Sequence, residues 1–141
     1  MIPAIPEFLY HGTVTANIAE FEPRKRFTPG DGDVPPRIYA TDRADFAVMH
    51  AFPWSSDEGI DIVEHEGVLH LQIPEHLRNR LNQRIYIYKL KGDAFVFTEE
   101  DETGNTYHSE VPVIPESVME FNSVTEALAY YGGVVDFLSK K

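Results

Sequence analysis

The chain has 141 residues, which is enough for one domain with a single sizeable core. It carries 23 acidic against 12 basic residues, a formal net charge of −11, and such a field repels phosphate backbones, so we expect no nucleic-acid partner. The absence of cysteine excludes disulfides, zinc-thiolate sites and thiol catalysis. No stretch approaches the roughly 20 apolar residues of a membrane helix, and the N-terminus lacks the features of a signal peptide. We therefore expect a soluble, cytoplasmic protein without a membrane partner.

The first third of the chain predicts two short strands separated by a long loop. Residues 8–11 are apolar and aromatic, which favours a strand. Residues 14–36 contain four prolines and the alternating glycine and aspartate run 30–33, and this composition predicts an irregular loop. A long loop in a compact domain is often functional. Residues 36–40 lead into the second strand.

A helix is predicted directly after the second strand. Asp42 is a favourable N-cap residue, and Asp45 stands at the capping-box position. The helix, over about 43–52, offers mostly small apolar side chains. We therefore expect it to lie close to a sheet.

The second half of the chain alternates short strands with two further helices. Isoleucine and tyrosine alternate in one predicted strand, and an acidic turn over 99–105 predicts a hairpin. Ser123 and Glu126 form a capping box for the last helix, and the glycine pair 132–133 ends it. The predicted strands cover 68–73, 84–90, 94–98 and 106–114, and the predicted helices cover 74–82 and 124–131. Together these elements predict a single α+β domain over residues 1–141.

Polar residues interrupt both early strands where a core strand would be apolar. The first strand runs into His11, Gly12 and Thr13, and the second carries Tyr39. An imidazole, a bare glycine backbone and a hydroxyl together suit a polar small molecule lying along a strand end. A structural role for His11 and a plain core position for Tyr39 are the alternatives.

Glu110 is a third polar residue in an apolar setting, because it lies within a predicted strand next to valine. A carboxylate on a buried face needs a partner, whereas one that lines a pocket accepts a hydrogen bond from a ligand hydroxyl. A solvated position at a sheet edge is the alternative.

The order of these residues resembles the ADP-ribosyltransferase superfamily, and in particular its His-Tyr-Glu branch, which includes diphtheria toxin and the poly(ADP-ribose) polymerases. The resemblance rests on the run 9–13 (Leu-Tyr-His-Gly-Thr), on Tyr39 before an alanine-rich helix, and on Glu110 before Val-Pro-Val. It implies an ADP-ribosyltransferase-like fold of two packed, mostly antiparallel sheets with a few short helices. It also implies an NAD-dependent glycosyltransferase that cleaves the nicotinamide N-glycosidic bond and transfers ADP-ribose to an acceptor.

The resemblance implies a role for each matched residue. His11 would hydrogen-bond a ribose of NAD, and Gly12 would offer its backbone to the nicotinamide carboxamide, with Thr13 completing the motif. Tyr39 would stack on the nicotinamide ring. Glu110 would be the catalytic residue, holding a ribose hydroxyl and stabilising the developing positive charge.

Other residues are assigned less directly. Arg24 and Arg37 are expected to contact the diphosphate of NAD, because of their charge. The family's second stacking tyrosine is not evident, and Phe46, Tyr86 or Tyr107 are its candidate substitutes. The acceptor is not named by the sequence, and a protein is one candidate.

Two alternatives remain open at this point. The chain is short and strongly acidic, which fits a non-catalytic member of the same fold that binds a protein or a nucleotide-like ligand. His65, Glu66 and His70 are reminiscent of a zinc helix motif, but the second histidine is one position too late and Gly67 interrupts a helix. We therefore expect NAD as a substrate and no metal.

Overall fold

Nine strands and two α-helices make up the part of the protein that the computed structural model describes, which is residues 5–23, 36–52, 54, 56–101 and 104–139. The strands are β1 (Phe8–Thr13), β2 (Ile38–Thr41), β3 (Asp61–His65), β4 (Val68–Pro74), β5 (Ile85–Lys91), β6 (Val96–Asp101), β7 (Gly104–Ser109), β8 (Ser117–Phe121) and β9 (Val134–Leu138). The helices are α1 (Ala44–His50) and α2 (Val124–Tyr130), and short 3-10 helices cover Ser56–Glu58, Glu75–Leu81 and Gly92–Ala94.

The strands form two sheets. The larger sheet has six antiparallel strands in the order β6-β7-β2-β1-β5-β8, and the smaller sheet has three strands in the order β3-β4-β9. Only the pairing of β4 with β9 is parallel among the described strands. The predicted α+β class, with two mostly antiparallel sheets and few helices, is therefore confirmed.

Each face of the six-stranded sheet carries its own apolar cluster. Ile85 and Ile87 of β5 belong to a cluster with the two helices and β4, and we name this side the helix face. Tyr88 and Leu90 belong to a second cluster with Leu9, on the side that we name the tyrosine face. Successive side chains of a strand alternate between faces, so β5 is buried on both. The helix-face cluster also joins the two sheets, because apolar side chains of β4 belong to it.

Gly12 lets α1 approach β1 closely. A Cβ atom placed on Gly12 would lie 2.0 Å from the carbonyl oxygen of Ala47 and 3.0 Å from the Cβ of Ala51. These distances are too short for any side chain, so the glycine is required by the packing of the helix. The small residues of α1 thus have the effect expected from the sequence, which is close packing on the sheet.

The predicted cap of α1 is wrong. The N-cap residue is Arg43, without a side-chain cap hydrogen bond. The carboxylate of Asp42 accepts a hydrogen bond from the backbone N–H of Asn105 at 3.0 Å instead. The carboxylate of Asp45 accepts from the adjacent N–H of Phe46 and from Arg43. Asp42 is therefore used to tie the end of β2 to β7.

The predicted cap of α2 is confirmed. The hydroxyl of Ser123 accepts a hydrogen bond from the N–H of Glu126 at 3.0 Å, and the carboxylate of Glu126 accepts one from the N–H of Asn122. Gly132 follows the helix with φ at +86°, the left-handed conformation that ends helices.

Several predicted boundaries shift. The strand predicted over 106–114 ends at Ser109, because the Ser109 hydroxyl closes a local turn with the backbone of Val111. The helix predicted over 74–82 is a 3-10 helix. Strands β3, β8 and β9 were not predicted. Residues 14–23 of the predicted loop contain one isolated bridge, Phe21 to Val113, and residues 24–35 lie outside the described residues.

We predict that Gly12→Ala destabilises the protein more than Gly67→Ala does. Forcing a methyl group against the α1 backbone should cost at least the roughly 1–3 kcal/mol typical of overpacking. Gly67 has φ at +82° but open space around it, so alanine there should cost only about 1 kcal/mol of left-handed strain. Urea unfolding of both variants measures the difference, and an equal loss of stability would contradict the packing role of Gly12.

Candidate functional site

Strands β1 and β2 separate beyond a single register pair. β1 is in register with β5 over its whole length, from Phe8 paired with Lys91 to Thr13 paired with Tyr86. With β2, it is in register at one pair, Tyr10 with Thr41, within the described residues. The His-Gly-Thr segment therefore lies where the sheet opens between two neighbouring strands. We name this opening the notch.

The imidazole of His11 spans the notch. Its Nδ1 lies 2.7 Å from the carbonyl oxygen of Tyr39. A carbonyl oxygen only accepts hydrogen bonds, so Nδ1 carries the proton. The ring also packs edge-on against Phe21, with 4.9 Å between ring centroids. The notch is therefore bridged by a histidine side chain, and His11 has a structural role.

The side chain of Tyr39 lies on the opposite face from that of His11. Ile38 and Ala40 belong to the tyrosine-face cluster with Phe21, so Tyr39 between them points to the helix face. Its ring centroid lies 6.4 Å from that of His108, its register partner on β7. The His11 imidazole therefore contacts the main chain of Tyr39, while the Tyr39 phenol lies on the other face of the sheet.

Glu110 belongs to a polar cluster on the helix face. Its Oε2 lies 3.7 Å from Nε2 of His108 and 3.9 Å from Nε of Arg37. The Glu110 side chain is 52% exposed, whereas that of Arg37 is 23% exposed and its Nε is buried without a hydrogen-bond partner. Both distances suit ion pairs and are too long for hydrogen bonds. The carboxylate therefore lies close to two donors without forming a hydrogen bond to either.

His108 was not predicted as a site residue. Burial lowers its pKa below the usual 6.5, the positive charge of Arg37 lowers it further, and Glu110 opposes them. Its Nδ1 lies 2.5 Å from the hydroxyl of Thr98 on β6. The signal for His108 was its spacing, because residues two apart in a strand share a face, and His108 stands two before Glu110.

A groove of about 390 Å³ lies on the tyrosine face, beside the end of β1. Its lining includes Tyr86 and Tyr88 of β5, Val118 and Glu120 of β8, and Asn17 of the segment after β1. This volume lies within the range of small-molecule sites, about 300–1,000 Å³.

Tyr88 fixes the segment that borders the groove. Its hydroxyl donates a hydrogen bond to the carbonyl of Thr15 at 2.9 Å and accepts one from the N–H of Ile18 at 3.2 Å. Between these two residues, Asn17 has φ at +58°, a left-handed conformation that is uncommon outside glycine. The groove wall is therefore held in a defined, mildly strained turn.

The predicted site residues fall into three groups. Arg37, Tyr39 and Glu110 share the helix face, and Arg37 faces Glu110. His11, Gly12 and Thr13 lie at the notch. Arg24 lies outside the described residues. Of the substitutes for a second stacking tyrosine, Phe46 and Tyr107 are core residues and Tyr86 lines the groove.

No protein-family model, curated protein or solved structure matches the chain. Within the described residues, no helix has the length and apolar character needed to cross a membrane. The same residues contain no group of three or more histidine or acidic side chains arranged to hold a metal ion. His70 instead pairs through Nδ1 with Asp136 at 2.9 Å.

We predict opposite shifts of the His108 pKa when its two charged neighbours are removed. Arg37→Leu removes a positive charge and should raise this pKa toward the usual 6.5, whereas Glu110→Gln removes an opposing charge and should lower it further. A pH titration of the histidine ring protons by NMR measures both. Shifts of the same sign in the two variants would contradict the geometry.

We also predict a specific acid sensitivity of folding. Because the folded protein holds the His108 pKa below 6.5, the unfolded chain takes up this proton first as the pH falls. The contribution of neutral His108 to stability is therefore present above about pH 6.5 and lost below it. Urea unfolding at about pH 7.5 and 5.5 should show a smaller loss of stability on acidification in His108→Gln than in the wild type. Equal losses of stability in the variant and the wild type would show that His108 does not cause the acid sensitivity.

Proposed function

We propose that the protein is an NAD-dependent transferase of the ADP-ribosyltransferase-like superfamily. It would cleave the bond between nicotinamide and ribose and transfer ADP-ribose to an acceptor. The observation that carries this proposal is that Tyr39 and Glu110 share one face of the sheet beside the notch that contains His11 and Gly12. An aromatic platform, a carboxylate and a strand segment at an opening of the sheet are what recognition and departure of a nicotinamide ring require.

Each residue has a defined part in this proposal. Tyr39 offers a ring for stacking, and the Gly12 backbone offers hydrogen-bonding groups without an intervening side chain. His11 and Thr13 would contact ribose hydroxyls at the notch. The separation of β1 from β2 favours a ligand that contacts groups of both faces, because His11 and Tyr39 point to opposite sides.

Glu110 would act electrostatically. As the glycosidic bond breaks, its electron pair leaves with nicotinamide and the ribose C1′ becomes positively charged. A carboxylate close to that centre stabilises the charge more than it stabilises the bound substrate. An acceptor oxygen or nitrogen then forms the new bond to C1′, and the acceptor proton passes to solvent.

Arg37 and the groove fit the rest of the substrate. Arg37 has a buried Nε without a hydrogen-bond partner and stands 3.9 Å from Glu110. A bound diphosphate would pair with Arg37 and so weaken the contact between Arg37 and Glu110. The negative charge of Glu110 would then act on the ribose without being offset by Arg37. The groove beside Thr13 has the volume of a small-molecule site and would take the other end of the dinucleotide, with Tyr86 and the carboxylate of Glu120 in its lining.

A second candidate function is a non-catalytic module of the same fold that binds a protein or a nucleotide-like ligand. The contacts of His11 favour it, because this ring is already bonded to the Tyr39 carbonyl and packed on Phe21. The packing of Gly12 against α1 also explains that glycine without any ligand.

The decisive test is calorimetric titration with NAD together with an assay of nicotinamide release. We expect the wild type to bind NAD and to release nicotinamide. Glu110→Gln should still bind NAD. It should release nicotinamide at least about 100-fold more slowly, as expected when one charge-stabilising group is lost.

Glu116→Gln is the matched control. Glu116 is a partly exposed carboxylate that pairs with Lys91 at 3.3 Å, away from Tyr39 and His108, and its loss should leave the rate unchanged. Binding of NAD without nicotinamide release would favour the non-catalytic module. Absence of NAD binding to the wild type would overturn the proposal.

A further inference from the structure

His108 lies between two polar side chains from different strands. On one side its Nδ1 lies 2.5 Å from the Thr98 hydroxyl, and on the other its Nε2 lies 3.7 Å from Oε2 of Glu110. The His108 side chain is 11% exposed, whereas that of Glu110 is 52% exposed. A largely buried ring therefore stands next to a half-exposed carboxylate.

Thr98 lies at a β-bulge beside this ring. β6 and β7 are in register at Val96 with His108 and at Phe97 with Tyr107, but the next pair is Glu99 with Thr106. Thr98 is the extra residue and has no register partner on β7. Bulges redirect side chains and are frequent beside functional sites. The hydroxyl that contacts Nδ1 therefore belongs to the one residue of β6 that the register with β7 leaves out.

The two contacts select one tautomer of the neutral imidazole. The 3.7 Å contact with Glu110 is too long for a hydrogen bond, but a negatively charged carboxylate at this distance favours the tautomer whose proton lies on the ring nitrogen that faces it. Nδ1 is then an acceptor, and the Thr98 hydroxyl donates to it. The other tautomer would set a lone pair of Nε2 against the carboxylate.

We propose that His108 is a positioning residue for Glu110, with its Nε2–H directing the carboxylate toward the face of Tyr39 and Thr98 fixing the tautomer that makes this contact. A shift of Glu110 by about 0.7 Å brings the pair to ordinary hydrogen-bond distance. The inference deepens the proposed function, and it rests on that function wherever catalysis is the readout.

The groups around His108 determine how this arrangement responds to pH. The described charged and titratable groups that face it are Arg37 and Tyr39 from the β2 side and Glu110 from the end of β7, with the uncharged Thr98 from β6. When the ring takes up a second proton, it becomes a cation beside Glu110 and offsets the negative charge that the substrate needs. Activity should therefore fall on the acid side as His108 becomes protonated.

Three variants test the inference. His108→Leu removes the donor and should lower kcat about 10- to 100-fold, the usual effect of losing an orienting partner, with KM for NAD within about twofold, because only the reacting group is misdirected. His108→Gln places an amide N–H near the same point and should restore most of the rate. Thr98→Val removes the tautomer-fixing hydroxyl and should give an intermediate loss. The acid limb of the pH profile should disappear in His108→Gln.

Nitrogen-15 chemical shifts of His108 provide a readout that does not depend on catalysis. The wild type should carry its proton on Nε2, and Thr98→Val should populate both tautomers. A wild-type proton on Nδ1, or equal losses of kcat in the leucine and glutamine variants, would overturn the inference. If the wild type releases no nicotinamide but shows the Nε2 tautomer, and this tautomer is lost both in Thr98→Val and in Glu110→Gln, the proposed function fails and the contact of His108 with Glu110 stands.

Discussion

The contact between Gly12 and the backbone of Ala47 is the constraint on which the rest of the structure depends. β1 is an inner strand of the six-stranded sheet, with Leu9 fully buried on one side and α1 packed directly on the other. Only a residue without a side chain allows the helix this close. α1 follows β2 after two residues, so the register pair of Tyr10 with Thr41 lies next to the start of the helix that packs on Gly12. The notch at His11 begins directly beyond this pair.

The elements that sequence reasoning predicted well are those whose signal is local. The alternation of isoleucine and tyrosine in β5 predicts a strand, and in the structure both faces of this strand are buried in apolar clusters. The capping box of Ser123 and Glu126 predicts the start of a helix, and its hydrogen bond joins residues only three positions apart. In each case the signal comes from residues a few positions apart, so the local sequence pattern is sufficient to predict the element.

The failures concern residues whose partners are distant in sequence. Asp42 has the right type and position for a helix cap, but it bonds to Asn105, 63 residues away. β8 is paired through β5, and four of its five side chains are exposed, so its hydrophobic pattern is weak. His108 carries no motif of its own, and its contacts with Thr98 and Glu110 are visible only in the structure. His11, Tyr39 and Glu110 were identified by order along the chain, whereas their distribution over two faces of the sheet required the structure.

The hydroxyl of Tyr88 has a consequence for how a ligand is accommodated. It ties the backbone at Thr15 and Ile18 to an inner strand, so the chain that leaves His-Gly-Thr is anchored to the core. Glu110, across the notch, is half exposed and bonded to neither neighbour. The backbone at Thr15 and Ile18 is therefore held by two hydrogen bonds, whereas the Glu110 side chain is held only by contacts of 3.7 and 3.9 Å. A ligand at the notch would be accommodated by a rotation of this carboxylate rather than by a shift of the backbone that Tyr88 anchors.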